Sequence, residues 1–162
     1  MNSDVFKENL ESVAGHCVIT ADVADVLRKI VADLRAQRIA ISDAPELADF
    51  GVMPERDQIF NFDVGITKAQ AAIAETGTLV LDSSCERNRL VSLVPPVHIA
   101  IVAASRIYPT VADVLAMLQN GKEMSPTITF ITGPSRTADI ELTLTIGVHG
   151  PQELYVIIDE TS

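Results

Sequence analysis

The sequence predicts an α/β protein, with a doubly wound, mainly parallel sheet flanked by helices. Three observations predict it. Short β-branched runs alternate along the chain with amphipathic stretches of helical period, the order that builds strand–helix–strand units. The chain is 48% hydrophobic but only 4% aromatic and has no Trp, so its core must be assembled from Val, Ile, Leu and Ala, which suits parallel strands buried on both faces. Its 162 residues suffice for one full core and not for two comfortable ones.

From the amino end, residues 3–14 set Val5, Phe6, Leu10 and Val13 among acids and amides and stop at Gly15, the pattern of a modest amphipathic helix. Residues 17–20 form a short strand, and Thr20 is placed to cap the next helix. There Val23, Val26, Leu27, Ile30, Val31 and Leu34 recur at helical spacing, with Asp22 and Asp25 in the first turn. Residues 38–42 read as a second strand and Asp43-Ala44-Pro45 as a turn or short helix. Residues 47–58, interrupted by Gly51 and Pro54, read as a loop, and 59–66 hold a short strand ending at Gly65.

Thr67-Lys68-Ala69-Gln70 fits a capping box, so a short helix is predicted from Lys68 to about Ala74. Leu79-Val80-Leu81 is a buried strand, which leaves Glu75 in the turn at its entrance beside Thr76, Gly77 and Thr78. Residues 82–88 form a polar connection closed by Arg89. Pro95-Pro96 fixes an extended entry into residues 97–103, the most hydrophobic run and the predicted central strand, with His98 at its start. A histidine there serves more often as a satisfied structural group than as a catalyst. Thr110 and Asp113 cap a helix whose stripe is Val111, Val114, Leu115 and Leu118 and whose stop is Gly121. A loop at 122–126 leads to a strand at 127–132.

Residues 139–146 suit two structures. Ile140, Leu142, Leu144 and Ile146 alternate as in a strand, whereas the polar start and the Gly147 stop suit a short helix. Helix is the reading taken, because a strand would compete for an edge with the last strand, 154–159. Residues 147–151 make a constrained loop that carries His149.

The chemistry centres on Ile131-Thr132-Gly133-Pro134-Ser135-Arg136-Thr137-Ala138-Asp139-Ile140-Glu141. A strand that hands over to a helix at Gly-Pro leaves backbone N–H groups unpaired beside Ser135, Arg136 and Thr137, which makes a site for a small anion. The same residues equally suit a plain helix cap and an ion pair of Arg136 with a nearby carboxylate. Parallel sheets place ligands at the carboxyl ends of their strands. On this reading residues 132–137 and 82–89 lie there, while 75–78 lie at an amino end, which counts against one shared site.

A formal net charge of −10 repels polyanions, so neither nucleic acid nor an anionic membrane surface is an expected partner. Cys17 and Cys85 lie far apart, and neither belongs to a C-x-x-C pair. The chain therefore assembles neither a zinc site nor a cysteine-ligated iron–sulfur cluster, and two free thiols suit a reducing cytosol. With no basic leader and no apolar run long enough to span a bilayer, a cytoplasmic protein is expected.

Three segments go beyond pattern. They are Gly65-Ile66-Thr67 continuing to Ala72-Ile73-Ala74-Glu75-Thr76-Gly77-Thr78, the stretch from Arg89 through Pro96 to His98, and TGPSRTADIE at 132–141 with GVHGP at 147–151. Together they resemble the lactate-utilisation (LUD) domain of the lactate utilisation protein C family, over about the last hundred residues. The resemblance implies one LUD-type domain over 1–162, with a fold similar to glucosamine-phosphate isomerase, ribose-phosphate isomerase and the coenzyme A transferases. It further implies a role in bacterial oxidation of L-lactate to pyruvate beside two companion proteins that carry iron–sulfur clusters, this chain being the component without one.

Carried over by motif position, Glu75, His98 and His149 are the candidate proton-handling residues. Thr76, Gly77, Thr78, Arg89, Gly133, Ser135, Arg136, Thr137 and Asp139 are the candidate ligand-binding ones, with no metal or cofactor expected. In that reading Arg136 or Arg89 clamps a carboxylate or phosphate and Glu75 or a histidine moves a proton. A non-catalytic subunit that binds the redox partners is the competing reading, since no G-x-G-x-x-G and no P-loop is present. A sugar-phosphate isomerase or coenzyme A transferase rests on fold analogy alone. A homo-oligomer stays open.

Overall fold

The computed structural model describes residues 1–82, 86–120, 127–138, 144–146 and 150–162. Five strands form an all-parallel sheet in the order β1 (His16–Thr20), β11 (Glu153–Asp159), β6 (Val97–Ala103), β3 (Val64–Lys68), β2 (Ile39–Ile41). The expected central strand is central, and the reason is its composition. Successive side chains of a strand face opposite ways. Ile99 and Ile101 enter one apolar cluster with Val64, Ile66 and Ile157, whereas Ala100 and Val102 enter another with Leu154, Val156 and Ile158.

Helix α2 (Val23–Asp33) covers the first face through Leu27, joined by Leu47 and Phe50. Its N-cap is Asp22, whose carboxylate accepts the Asp25 N–H at 3.0 Å. Thr20, expected as the cap, instead accepts the Asp22 N–H at 2.9 Å. The other face receives α1 (Asn2–Ser12), through the fully buried Phe6 and Leu10, and α3 (Glu86–Leu93), through Val91. Gly65 lets α3 lie directly on β3, because a Cβ there would stand 1.9 Å from the Val91 carbonyl oxygen.

A second sheet of four strands, ordered β7 (Ile107–Tyr108), β4 (Ala71–Ile73), β5 (Thr78–Asp82), β8 (Ile128–Thr132), packs beside α1. It is mixed: β5 runs antiparallel to both β4 and β8. Its outer face, with Ala71, Ile73 and Val80, is closed by Val114 of α4 (Val111–Gln119). Helix α4 starts with the expected capping box, the Asp113 N–H donating to Thr110 Oγ1 at 3.2 Å and the Thr110 N–H to Asp113 Oδ2 at 3.0 Å.

Three expectations are corrected. The helix expected from Lys68 to Ala74 is β4 followed by a single 3₁₀ turn at Ala74–Thr76, because residues 71–74 are all buried, which one face of a short helix cannot arrange. Within the polar connection expected at 82–88, Asp82 ends β5 and residues 86–88 begin α3, while residues 83–85 lie outside the described residues. The chain after Gly133-Pro134 enters not a helix but β9 (Arg136–Ala138), antiparallel to β10 (Leu144–Ile146). The strand alternation of residues 144–146 therefore prevails over the helix reading, while residues 139–143, the loop expected at 122–126 and residues 147–149 of the loop expected at 147–151 lie outside the described residues.

Candidate functional site

A cavity of about 520 Å³ opens where the two sheets meet the ends of α1 and α3. Its walls come from β8 and the turn that follows (residues 129–136), from His98 at the start of β6, Leu154 at the start of β11, Ser92 and Leu93 at the end of α3, and Val13. It thus lies at the amino ends of the parallel strands, not at the carboxyl ends expected for the ligand. The second sheet decides this: β8 pairs antiparallel with β5, and its carboxyl end arrives over the start of β6 and β11. A smaller cavity of about 220 Å³, lined by Leu27, Leu47, Phe50 and Ile101 with the Lys68–Glu46 ion pair at its rim, occupies the carboxyl ends.

The turn that carries the motif is built without a helix dipole. Gly133 takes φ +73°, where a Cβ would lie 2.8 Å from the Val13 carbonyl oxygen, so α1 and the turn touch backbone to backbone. Arg136 donates from Nη2 to the Val13 carbonyl at 2.9 Å, and the Ser135 N–H donates to the Pro151 carbonyl at 2.8 Å. The amides expected to receive an anion are therefore partly engaged within the protein. The polar side chains that line the cavity belong to Ser92, Thr129, Thr132, Ser135, His98 and the exposed Arg136.

His98 borders the same cavity but exposes no surface to water. Its Nε2 is 2.8 Å from Thr67 Oγ1, and among the described residues its Nδ1 has no partner. Burial pushes its pKa down to about 3, so the ring stays neutral at physiological pH. A group with that pKa is a poor general base near neutrality, which counts against the proton-moving role.

Glu75 is not part of this cavity wall. Its Oε1 accepts the Val111 N–H at 2.8 Å, so it caps the amino end of α4, where the helix dipole favours a carboxylate. Thr76, Thr78 and Thr132 form a ladder of hydroxyls, 2.7 Å and then 2.6 Å apart, and only its last member reaches the cavity. Gly77 is buried beneath α1, next to the Ala74 carbonyl that accepts from Asn9 Nδ2 at 2.8 Å. Arg89 sits half-buried on α3; its carbonyl accepts from Ser92 Oγ at 2.8 Å, but Arg89 is not among the residues lining the cavity. Thr137 lies in β9, and Asp139 and His149 lie outside the described residues.

The structure thus gathers His98, Gly133, Ser135 and Arg136 and separates them from Glu75, Thr76 and Arg89. Sequence reasoning missed Thr67 and Ser92, the two polar neighbours on the His98 side. The signal for Thr67 was period-2 alternation: Val64 and Ile66 face one cluster, while Gly65 and Thr67 face the other way, toward His98.

Residues 33–158 match the LUD domain family. Among similar proteins, a lactate utilization protein C from Bacillus subtilis is 43% identical over 103 residues, 60% of this chain and 43% of that one. Another from Macrococcus caseolyticus is 32% identical over 161 residues, 87% of this chain and 70% of that one. This chain spans 42–45% of the length of several other curated relatives that it matches. A crystal structure of a DUF162 family protein from Deinococcus radiodurans superposes with a TM-score of 0.70 over 98% of both chains, at 23% identity, which supports the fold alone. With more than half of its length matched, the chain belongs to the LUD domain family.

Proposed function

We propose that this chain serves bacterial L-lactate utilisation in the cytoplasm as a component that holds a small anionic ligand in the cavity beside His98 and Arg136, while companion iron–sulfur proteins carry electrons. Relatives named lactate utilization protein C support the pathway. The observation that carries the ligand reading is the cavity itself. It is lined by Arg136, four hydroxyl residues and a buried neutral imidazole in a protein whose net charge of −10 would otherwise repel an anion.

Ligand-dependent melting tests it. L-lactate, pyruvate, inorganic phosphate, a sugar phosphate and coenzyme A are each titrated against the parent and Arg136→Ala. At about a hundred times its Kd a ligand adds about 2.7 kcal/mol, enough to raise Tm by several degrees. The expected outcome is a rise with a small carboxylate that Arg136→Ala abolishes; no rise with any compound defeats the reading.

The competing reading, a non-catalytic subunit, draws on the exposed Val52, Met53 and Phe60 beside a groove of about 510 Å³. Pull-down from the native host separates the two. Recovery of the chain always alone excludes the subunit reading.

A further inference from the structure

The hydrogen bond between Thr67 and His98 determines which ring nitrogen carries the proton. A neutral imidazole brings one N–H and one lone pair, and a threonine hydroxyl brings one O–H. Thr67 is 1% exposed, and among the described residues Oγ1 has no other hydrogen bond than that to Nε2. If Nε2–H donated to Oγ1, the hydroxyl hydrogen would be buried without an acceptor and the Nδ1 lone pair without a donor, leaving two groups unsatisfied. If Oγ1–H donates to Nε2, the hydroxyl is satisfied and among the described residues one orphan remains, the Nδ1–H. Buried polar groups without partners are costly, and buried N–H groups without partners are rare. The second arrangement therefore leaves one group that calls for an oxygen, on a residue that borders the cavity.

We propose that His98 is held by Thr67 as the Nδ1–H tautomer and offers that N–H to the carbonyl or carboxylate oxygen of a small carboxylic acid bound in the cavity, acting as a hydrogen-bond donor and not as a base. This rests on the reading of the cavity as a ligand site and deepens it. A neutral donor and a guanidinium lining one cavity favour an oxygen acceptor that carries negative charge, and they disfavour an ammonium group in place of the oxygen. The ring has no surface open to water, so entry of the ligand must move side chains of the cavity wall that cover it.

The whole chain is labelled with ¹⁵N-histidine, and its three imidazoles are observed by long-range ¹H–¹⁵N correlation. His98 is assigned by the signals lost in His98→Gln. The expected result is a protonated Nδ1 and a bare Nε2 from pH 8 to pH 5. Thr67→Val is expected to abolish that preference and Thr67→Ser to keep it. Pyruvate and acetate are expected to move the Nδ1–H resonance, with inorganic phosphate as the second anionic oxygen acceptor that tests the choice of a carboxylate.

A protonated Nε2 in the parent overturns the proposal, as does an Nδ1–H tautomer that survives in Thr67→Val. An Nδ1–H signal unmoved by a carboxylate that does raise Tm overturns the proposal and spares the anion site. A signal moved by phosphate alone overturns the choice of ligand class. If no compound raises Tm or moves the signal, both the proposal and the ligand site fall together.

Discussion

At His98 the folded chain keeps neutral a side chain that the unfolded chain protonates freely. The unfolded pKa is about 6.5 and the folded one about 3, so the unfolded state takes up the proton first as pH falls. The stability associated with the neutral ring is complete above pH 6.5 and shrinks by about 1.4 kcal/mol per pH unit below it. Glu46, Asp63 and Asp159, whose carboxyls hydrogen bonds hold below their ordinary range, lose their contribution only at still lower pH. Between pH 7 and pH 5 the parent is therefore expected to lose about 2 kcal/mol more in urea unfolding than His98→Gln does. Equal losses in the two proteins contradict the buried neutral ring.

Glu75 makes the opposite case, a residue whose chemistry is structural. Its carboxylate takes the first N–H of α4, so Glu75→Ala is expected to cost about 1 kcal/mol by chemical denaturation. It is expected to leave the ligand-dependent rise in Tm unchanged, since Glu75 does not border the cavity. The type and place of Glu75, in a turn between hydroxyls and a glycine, were legible in the sequence. That its carboxylate is claimed by α4 was not, because Val111 lies 36 residues away and meets it only through folding.

At the scale of elements, the seat of α3 on β3 depends on the absence of one side chain. Gly65→Ala pushes a methyl group into the Val91 carbonyl, and backbone cannot yield as a flexible side chain can. Overpacking of this kind costs about 1–3 kcal/mol. Because Ser92 and Leu93 of the same helix line the cavity, Gly65→Ala is also expected to weaken the response of Tm to ligand. A variant with normal ligand response and lowered stability would show that the last turn of α3 stays in place independently of Val91.

Elements are also where the strand and helix readings parted from the structure. Thr67-Lys68-Ala69-Gln70 has good helix-forming composition and the right spacing for a capping box. Its intrinsic preference is worth only tenths of a kcal/mol per residue, and burial of Thr67 against His98 with residues 71–74 between two layers outweighs it. The stretch after Gly133 departs from a helix for a related reason. A turn of Gly and Pro suits a hairpin arm as well as a helix start, and pairing of β9 with β10 decides between them.

At the scale of the molecule, the two sheets share a core into which α1 inserts Phe6 and Leu10, together with Leu79 and Leu81 from one sheet and Ala100 and Val156 from the other. Removing one of these side chains should therefore loosen both sheets at once. Phe6→Ala is expected to cost about 3–5 kcal/mol and to reduce hydrogen-exchange protection in β5 and β6 alike. Loss confined to one sheet would mean that the two unfold separately.

The α/β class, the central strand at 97–103, the amphipathic α2, the capped α4 and the set of residues from which a site could be drawn are all legible in the order of residues along the chain. These follow from local period, composition and capping, which act over a few residues. Tertiary structure alone decided that residues 71–82 and 128–132 leave the parallel sheet for a second one, and that His98, Ser135 and Arg136 meet at the amino ends of the parallel strands while Glu75 does not. Strand pairing and helix docking join residues dozens of positions apart, and their geometry depends on which surfaces are buried together, a property that no local window of the chain contains.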